Sequence, residues 1–140
     1  TWLGKHFLLD FMRAKLPEAL HRAAQERFPD LSEAWIVEQT YRKPRPNAFL
    51  ASFVPFLAEH LEGSDYVQNL IEEGMDAFFK AHILPYTDHQ KLPIHAVGSI
   101  AFVFSAAFWA CAKKHGCVQG TIIQRPIDAL AKHYSIGIEA

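Results

Sequence analysis

The chain has 140 residues, half of them apolar, 21% charged and 13% aromatic, with 14 Lys+Arg against 15 Asp+Glu for a net charge of -1. That balance excludes a disordered chain and is enough for one sizeable core but not for two independent ones. A nearly neutral chain carries no electrostatic footprint for duplex nucleic acid or an anionic membrane surface, and no apolar run reaches the ~18 residues of a transmembrane helix. Two cysteines, Cys111 and Cys117, cannot build the disulfide framework of a small secreted domain, so free thiols in a reducing, cytoplasmic compartment are expected.

The chain opens Thr1-Trp2-Leu3-Gly4-Lys5, with no signal-peptide pattern. Leu3, Phe7, Leu8, Phe11 and Met12 recur at helical spacing at once. Such an opening reads as a piece of a longer polypeptide, because ordinary domain ends fray into polar residues. The pattern predicts a first helix from Trp2 to Leu16 and a second from Pro17 to Phe28, with Pro17 in its first turn. Asp30-Leu31-Ser32-Glu33 resembles a capping box with Asp30 as cap, opening a helix through Trp35 and Ile36 to Tyr41. Arg42-Lys43-Pro44-Arg45-Pro46 is an extended basic break. It is a solvated loop or, alternatively, a grip for phosphate. Asn47 then caps a helix carrying Leu50, Phe53, Val54, Leu57 and Leu61, which Pro55 kinks or bounds and Gly63 ends. Ser64 or Asp65 caps the longest helix, whose buried face is Val67, Leu70, Ile71, Met75, Phe78, Phe79 and Ile83, closed by Pro85 and Asp88.

The pattern changes at Leu92, where a short strand-like run continues through Val97 to Gly98-Ser99. A fully apolar helix from Ile100 to Ala112 follows. Lys113, Lys114 and His115 oppose the negative end of its dipole, and Gly116 suits a left-handed stop. Val118 to Ile123 is a second strand, with Gly120 as a bulge or close-approach point. Arg125-Pro126 opens a last helix through Ile127 and Leu130 to His133. The expected fold is helix-rich α/β, with a helical segment over residues 1–90 and a strand–helix–strand–helix segment over 91–140. The helical crossover makes the two strands parallel.

Candidate chemistry concentrates where the first strand ends. Ligands of open α/β sheets sit outside the carboxyl ends of strands, and a glycine there lets a ligand approach the backbone. A tight structural turn is the competing reading of Gly98-Ser99. The eight histidines show no H-E-x-x-H spacing and the cysteines no C-x-x-C spacing, so no metal ligand is assigned. Cys111 and Cys117 read as buried free thiols. His60, His82 and His95 read as core or boundary residues. No nucleophile–base pair or phosphate-binding P-loop emerges from spacing.

The run Leu92-Pro93-Ile94-His95-Ala96-Val97-Gly98-Ser99-Ile100-Ala101 resembles the adenosine-contacting segment of the N-acetylglucosamine kinase-like ATPases, the BadF/BadG type of the actin–hexokinase–Hsp70 superfamily. Thr1-Trp2-Leu3-Gly4 resembles the residues after that family's sugar-site motif. Pro46-Asn47-Ala48-Phe49-Leu50-Ala51-Ser52-Phe53 resembles its helix beside the nucleotide, and Val118 to His133 its last strand and helix. The resemblance covers the whole chain as the C-terminal portion of an actin-like (ribonuclease H-like) fold.

It implies an ATP-dependent kinase for N-acetylglucosamine or a related amino sugar, using ATP and Mg²⁺, with this chain supplying the nucleoside side. Gly98, Ser99 and Phe102 would contact the nucleoside, Ala51 and Ser52 its opposite side, and Trp2 either the sugar's acetamido group or simply the core. The family's Asp-x-Gly-x-Thr phosphate loop, its catalytic aspartate and its sugar motif are absent from these residues, so no catalytic residue is assigned here. The implied partners are ATP, a small sugar and an N-terminal lobe, with a homodimer among the assemblies allowed. The cysteine pattern departs from that of the iron–sulfur activator ATPases. An activator-type ATPase of the same fold and a non-enzymatic helical interaction module are the alternatives.

Overall fold

The computed structural model describes residues 2–38, 50–86 and 90–123, together with a strand at Ile136–Gly137. The chain divides into two compact units, Thr1–Leu70 and Ile71–Ala140. The expected basic break at 42–46, the Asn47 cap and the last helix over 126–133 lie outside the described residues.

In the first unit, α1 spans Trp2–Met12, α2 Glu18–Arg27, α3 Glu33–Val37 and α4 Val54–Glu59. Helix α1 ends four residues earlier than its apolar pattern suggests. Ala14 adopts φ 54°, and the N–H groups of Ala14 and Lys15 donate back to the carbonyls of Phe11 and Asp10 at 3.1 and 2.8 Å. That left-handed turn terminates the helix, and Pro17 stands at the cap position of α2. The cap of α3 is Ser32, not Asp30, and its Oγ accepts the Trp35 N–H at 3.1 Å. Asp30 instead takes the Ser32 N–H on its backbone carbonyl. Pro55 stands in the first turn of α4, where its missing N–H leaves no helical bond unmade. It therefore marks a boundary and no kink. Leu61 lies beyond the end of α4.

An aromatic cluster holds this unit together. Phe7, Phe53 and Phe56 are buried. The Phe7 ring lies 5.4 Å from Phe53 and 5.6 Å from Phe56, and Phe28 sets its edge against both at 4.9 and 5.6 Å. Tilted and edge-on pairs at these separations add to the apolar area they bury. Leu20, Ala24 and Leu57 are among the aliphatic residues buried in the same unit. Gly4 lets α1 approach closely, since a Cβ there would meet the Leu50 carbonyl carbon at 2.8 Å. The Tyr66 hydroxyl donates to Asp10 at 2.7 Å and fastens the segment after Gly63 onto α1.

Helix α5, Asp65–Phe78, is capped by Ser64, whose Oγ accepts the Val67 N–H at 3.3 Å. It continues as a π-helical turn over Phe79–Ile83. Phe79 and Ile83, at the two ends of that turn, are both buried.

The second unit adds β1 (Pro93–Val97), α6 (Ser99–Val103), α7 (Ser105–Lys114), β2 (Val118–Ile123) and β3 (Ile136–Gly137). The strands are parallel in the order β2-β1-β3. The β1–β2 pairing is the parallel pair expected from the helical crossover. Its register slips between Ile94 and His95, so that Ile94 faces Gln119 while His95 faces Thr121. Gly120 is the extra residue. A Cβ there would meet the Ile94 carbonyl carbon at 2.8 Å and His95 Cε1 at 3.1 Å, so a bulge forms where only glycine fits.

The helix expected from Ile100 to Ala112 is broken at Phe104, whose φ and ψ are -107° and 39°. Nor is it buried all round. Ile100, Ala101, Phe104 and Phe108 face the core, while Phe102 and Val103 are exposed. Phe108 anchors α7 against the end of α5, 5.1 Å from Phe79 and 6.5 Å from Phe78. Gly116 adopts φ 72°, the left-handed stop predicted after the last turn. No helix among the described residues is long and apolar enough to cross a membrane.

Candidate functional site

Strand β1 delivers Gly98 to its carboxyl end. Gly98 has φ 146° and ψ 157°, a conformation essentially reserved for glycine. Its N–H donates to the Ile123 carbonyl at the end of β2 at 2.9 Å, and its own carbonyl accepts the Phe102 N–H at 3.2 Å. One residue thus closes the sheet end and opens α6. Gly98 is half-buried and Phe102 is 46% exposed, one turn further on. The strand end thus offers backbone without a Cβ at Gly98, and an accessible aromatic side chain follows four residues later. The Ser99 side chain lies outside the described set.

The other candidate residues belong to the first unit. Ala51 closes a helical stretch and is half-buried, and Ser52 follows it, exposed. Trp2 is half-buried, its ring stacked on His6 at 3.8 Å, with His6 Nδ1 3.0 Å from the Trp2 carbonyl oxygen. Trp2 is therefore not a fully enclosed core residue. Also in this unit, a cavity of about 500 Å³ is lined by Phe11, Met12, Arg13, Ala14, His21, Gln25, Leu31 and Ile36.

The histidines mostly lean on aromatic rings. His60 lies 4.5 Å from Phe56 and is half-buried, while His82 lies 5.0 Å from Phe78 but is exposed, so it is not the core or boundary residue expected. His95 Nδ1 sits 2.7 Å from Thr121 Oγ1 across the β1–β2 pair. Cys111 and Cys117 are free thiols, the first buried and the second half-buried.

One cluster escaped the sequence reading. Asp76 on α5 receives His115 Nε2 at 2.7 Å and Lys114 Nζ at 3.1 Å on one oxygen, and Lys80 Nζ at 3.0 Å on the other. Hydrogen bonds from Lys80, His115 and Lys114 hold the carboxyl well below the usual carboxylate range. Cys111 comes within the same 4.8 Å sphere of donor atoms. Burial first, then the Asp76 charge, pushes its thiol up to about 11, and burial raises that of Cys117. The signal available in sequence was the Cys111–His115 spacing of one helical turn. Its carboxylate partner is 39 positions from His115, beyond what any local pattern reveals.

No protein-family model and no curated protein sequence matches the chain. Among solved structures, it is similar to the crystal structure of a putative N-acetylglucosamine kinase from Porphyromonas gingivalis, with a TM-score of 0.82 and 35% identity. The match covers 94% of this chain and 45% of that one, so the chain spans less than half the length of this relative. In sequence and fold the chain is N-acetylglucosamine kinase-like, corresponding to a C-terminal portion of such a protein.

Proposed function

We propose that this chain is the adenosine-binding portion of an ATP-dependent sugar kinase acting on N-acetylglucosamine or a related amino sugar. The observation that carries the reading is the 35% identity, sustained over 94% of the chain, with a protein described as such a kinase. The geometry at Gly98 supports it. A nucleoside can lie against a backbone that has no Cβ, and the exposed Phe102 ring offers it a flat apolar surface. Ser99 is the further nucleoside contact in this reading, and residues 91–140 form the nucleotide-side segment after a helical segment over 1–90.

Phosphoryl transfer is mostly positioning and charge stabilisation. On this reading the present residues hold the nucleoside, in an actin-like fold, while the base, the phosphate loop and the Mg²⁺ site belong to an N-terminal lobe. The protein works in the cytoplasm, and a homodimer is compatible with it.

The test uses the full-length protein. Calorimetry should detect ATP·Mg²⁺ binding, and ADP release should depend on N-acetylglucosamine or a close amino sugar. These 140 residues alone should phosphorylate nothing. A full-length protein that shows neither a nucleotide-induced thermal shift nor sugar-dependent ADP release overturns the proposal in favour of a non-enzymatic interaction module.

A further inference from the structure

Cys111 and His115 stand one turn apart on α7 and its cap, with the His115 N–H donating to the Cys111 carbonyl at 3.1 Å. Their side chains therefore share a face. Asp76 reaches the same point from α5, and one donor atom from each of the three residues lies within 4.8 Å of the other two. A thiol, an imidazole and a carboxylate are the donor types that Zn²⁺ takes, and three protein ligands leave a fourth position for solvent. The cluster is sheltered but reachable, with the Asp76 and His115 side chains 21% and 15% exposed.

The competitors for a cation are Lys80 and Lys114, the two ammonium groups on Asp76. Their side chains are 64% and 65% exposed. Both can swing into water on flexible stems, so displacing them buries no charge.

We propose that Asp76, Cys111 and His115 form a binding site for a thiophilic dication of the zinc class, joining α5 to the end of α7. On binding, the Cys111 S–H bond breaks, a sulfur–metal bond forms and the proton leaves to solvent. His115 Nε2 gives up the proton it shares with Asp76, which leaves to solvent from an imidazolium or moves through solvent to Nδ1 in a neutral ring, and the freed Nε2 lone pair takes the metal. One thiolate and one carboxylate neutralise the dication. Zinc–ligand distances of about 2.0–2.3 Å require the cluster to tighten by roughly 1 Å, within the reach of side-chain rotation. The proposal is independent of the nucleotide reading.

The test is titration of chelator-stripped full-length protein with Co²⁺ and then Zn²⁺, each variant first checked for native circular dichroism. One Co²⁺ per chain should bind, with a sulfur-to-cobalt charge-transfer band that Zn²⁺ discharges. Cys111→Ala should abolish the band and Cys117→Ala should keep it. Asp76→Asn and His115→Gln should weaken Zn²⁺ at least tenfold. Lys114→Ala should tighten Zn²⁺ severalfold, because it removes a competitor for the same carboxylate, and a mere ion-pair knot has no such effect. A cobalt spectrum without the thiolate band, a band that survives Cys111→Ala, or Zn²⁺ affinity indifferent to both Asp76→Asn and Lys114→Ala overturns the proposal. Asp76→Asn and Lys114→Ala keep it decidable if Cys111→Ala does not fold.

Discussion

Replacing Gly98 separates what the backbone requires from what a ligand requires. At φ 146° and ψ 157° any L-residue is strained, by about 1–3 kcal/mol. Gly98→Ala and Gly98→Leu incur that same backbone penalty, and both should lower the stability of the full-length protein by this amount. The strain arises from the Cβ they share, and Gly98 is only half-buried. What differs is the isobutyl group that leucine projects where the nucleoside is proposed to lie. Calorimetry with ATP·Mg²⁺ should therefore show a modest loss for alanine and a loss of a hundredfold or more for leucine, about 2.8 kcal/mol at ~1.4 kcal/mol per factor of ten. Urea unfolding of both variants supplies the control. Equal ATP affinity in the two variants, at equal stability, would refute the reasoning and leave Gly98 as a turn residue only.

Phe53→Ala should destabilise by about 3–5 kcal/mol in urea melts, since it empties a fully buried site and removes ring contacts to both Phe7 and Phe28. A loss under 1 kcal/mol would show that the aromatic cluster is not the core of its unit. Gly120→Ala forces a methyl group into the Ile94 carbonyl. It should cost about 1–3 kcal/mol as an overpacking change and should speed amide hydrogen exchange along the β1–β2 pair. Ser32→Ala removes the cap bond to Trp35, and about 1 kcal/mol of stability should go with it. By contrast, Glu59→Gln should change stability by less than about 1 kcal/mol, although Arg27 lies 2.8 Å from Glu59, because both side chains are about half exposed.

Gly98 stood out in the sequence as a glycine between a strand and a helix, and Gly120 as a glycine inside a strand pattern. One became a strand-end turn and the other a bulge. Parallel pairing followed from the apolar helix between the strands, since a crossover of that length cannot make a hairpin. The failures are equally local. Asp30 and Ser32 are both good caps, and the choice fell to the one whose oxygen reaches the Trp35 N–H. The helix from Ile100 to Ala112 has Ser105 as its one polar residue. Periodicity carries little information when so little polar marks the outer face, so neither the break at Phe104 nor the exposure of Phe102 and Val103 could be seen.

Local chemistry was thus decided by the amino acids alone. Glycine sets where the backbone turns and bulges, proline where helices begin, and apolar spacing which helical faces are buried, because each acts within a turn or two of its own position. Tertiary structure alone decided that β1 lies between β2 and β3 and that Asp76 meets Cys111 and His115. Those neighbours are far apart along the chain, and only the packing of whole elements, driven by apolar burial that is indifferent to sequence distance, brings them together.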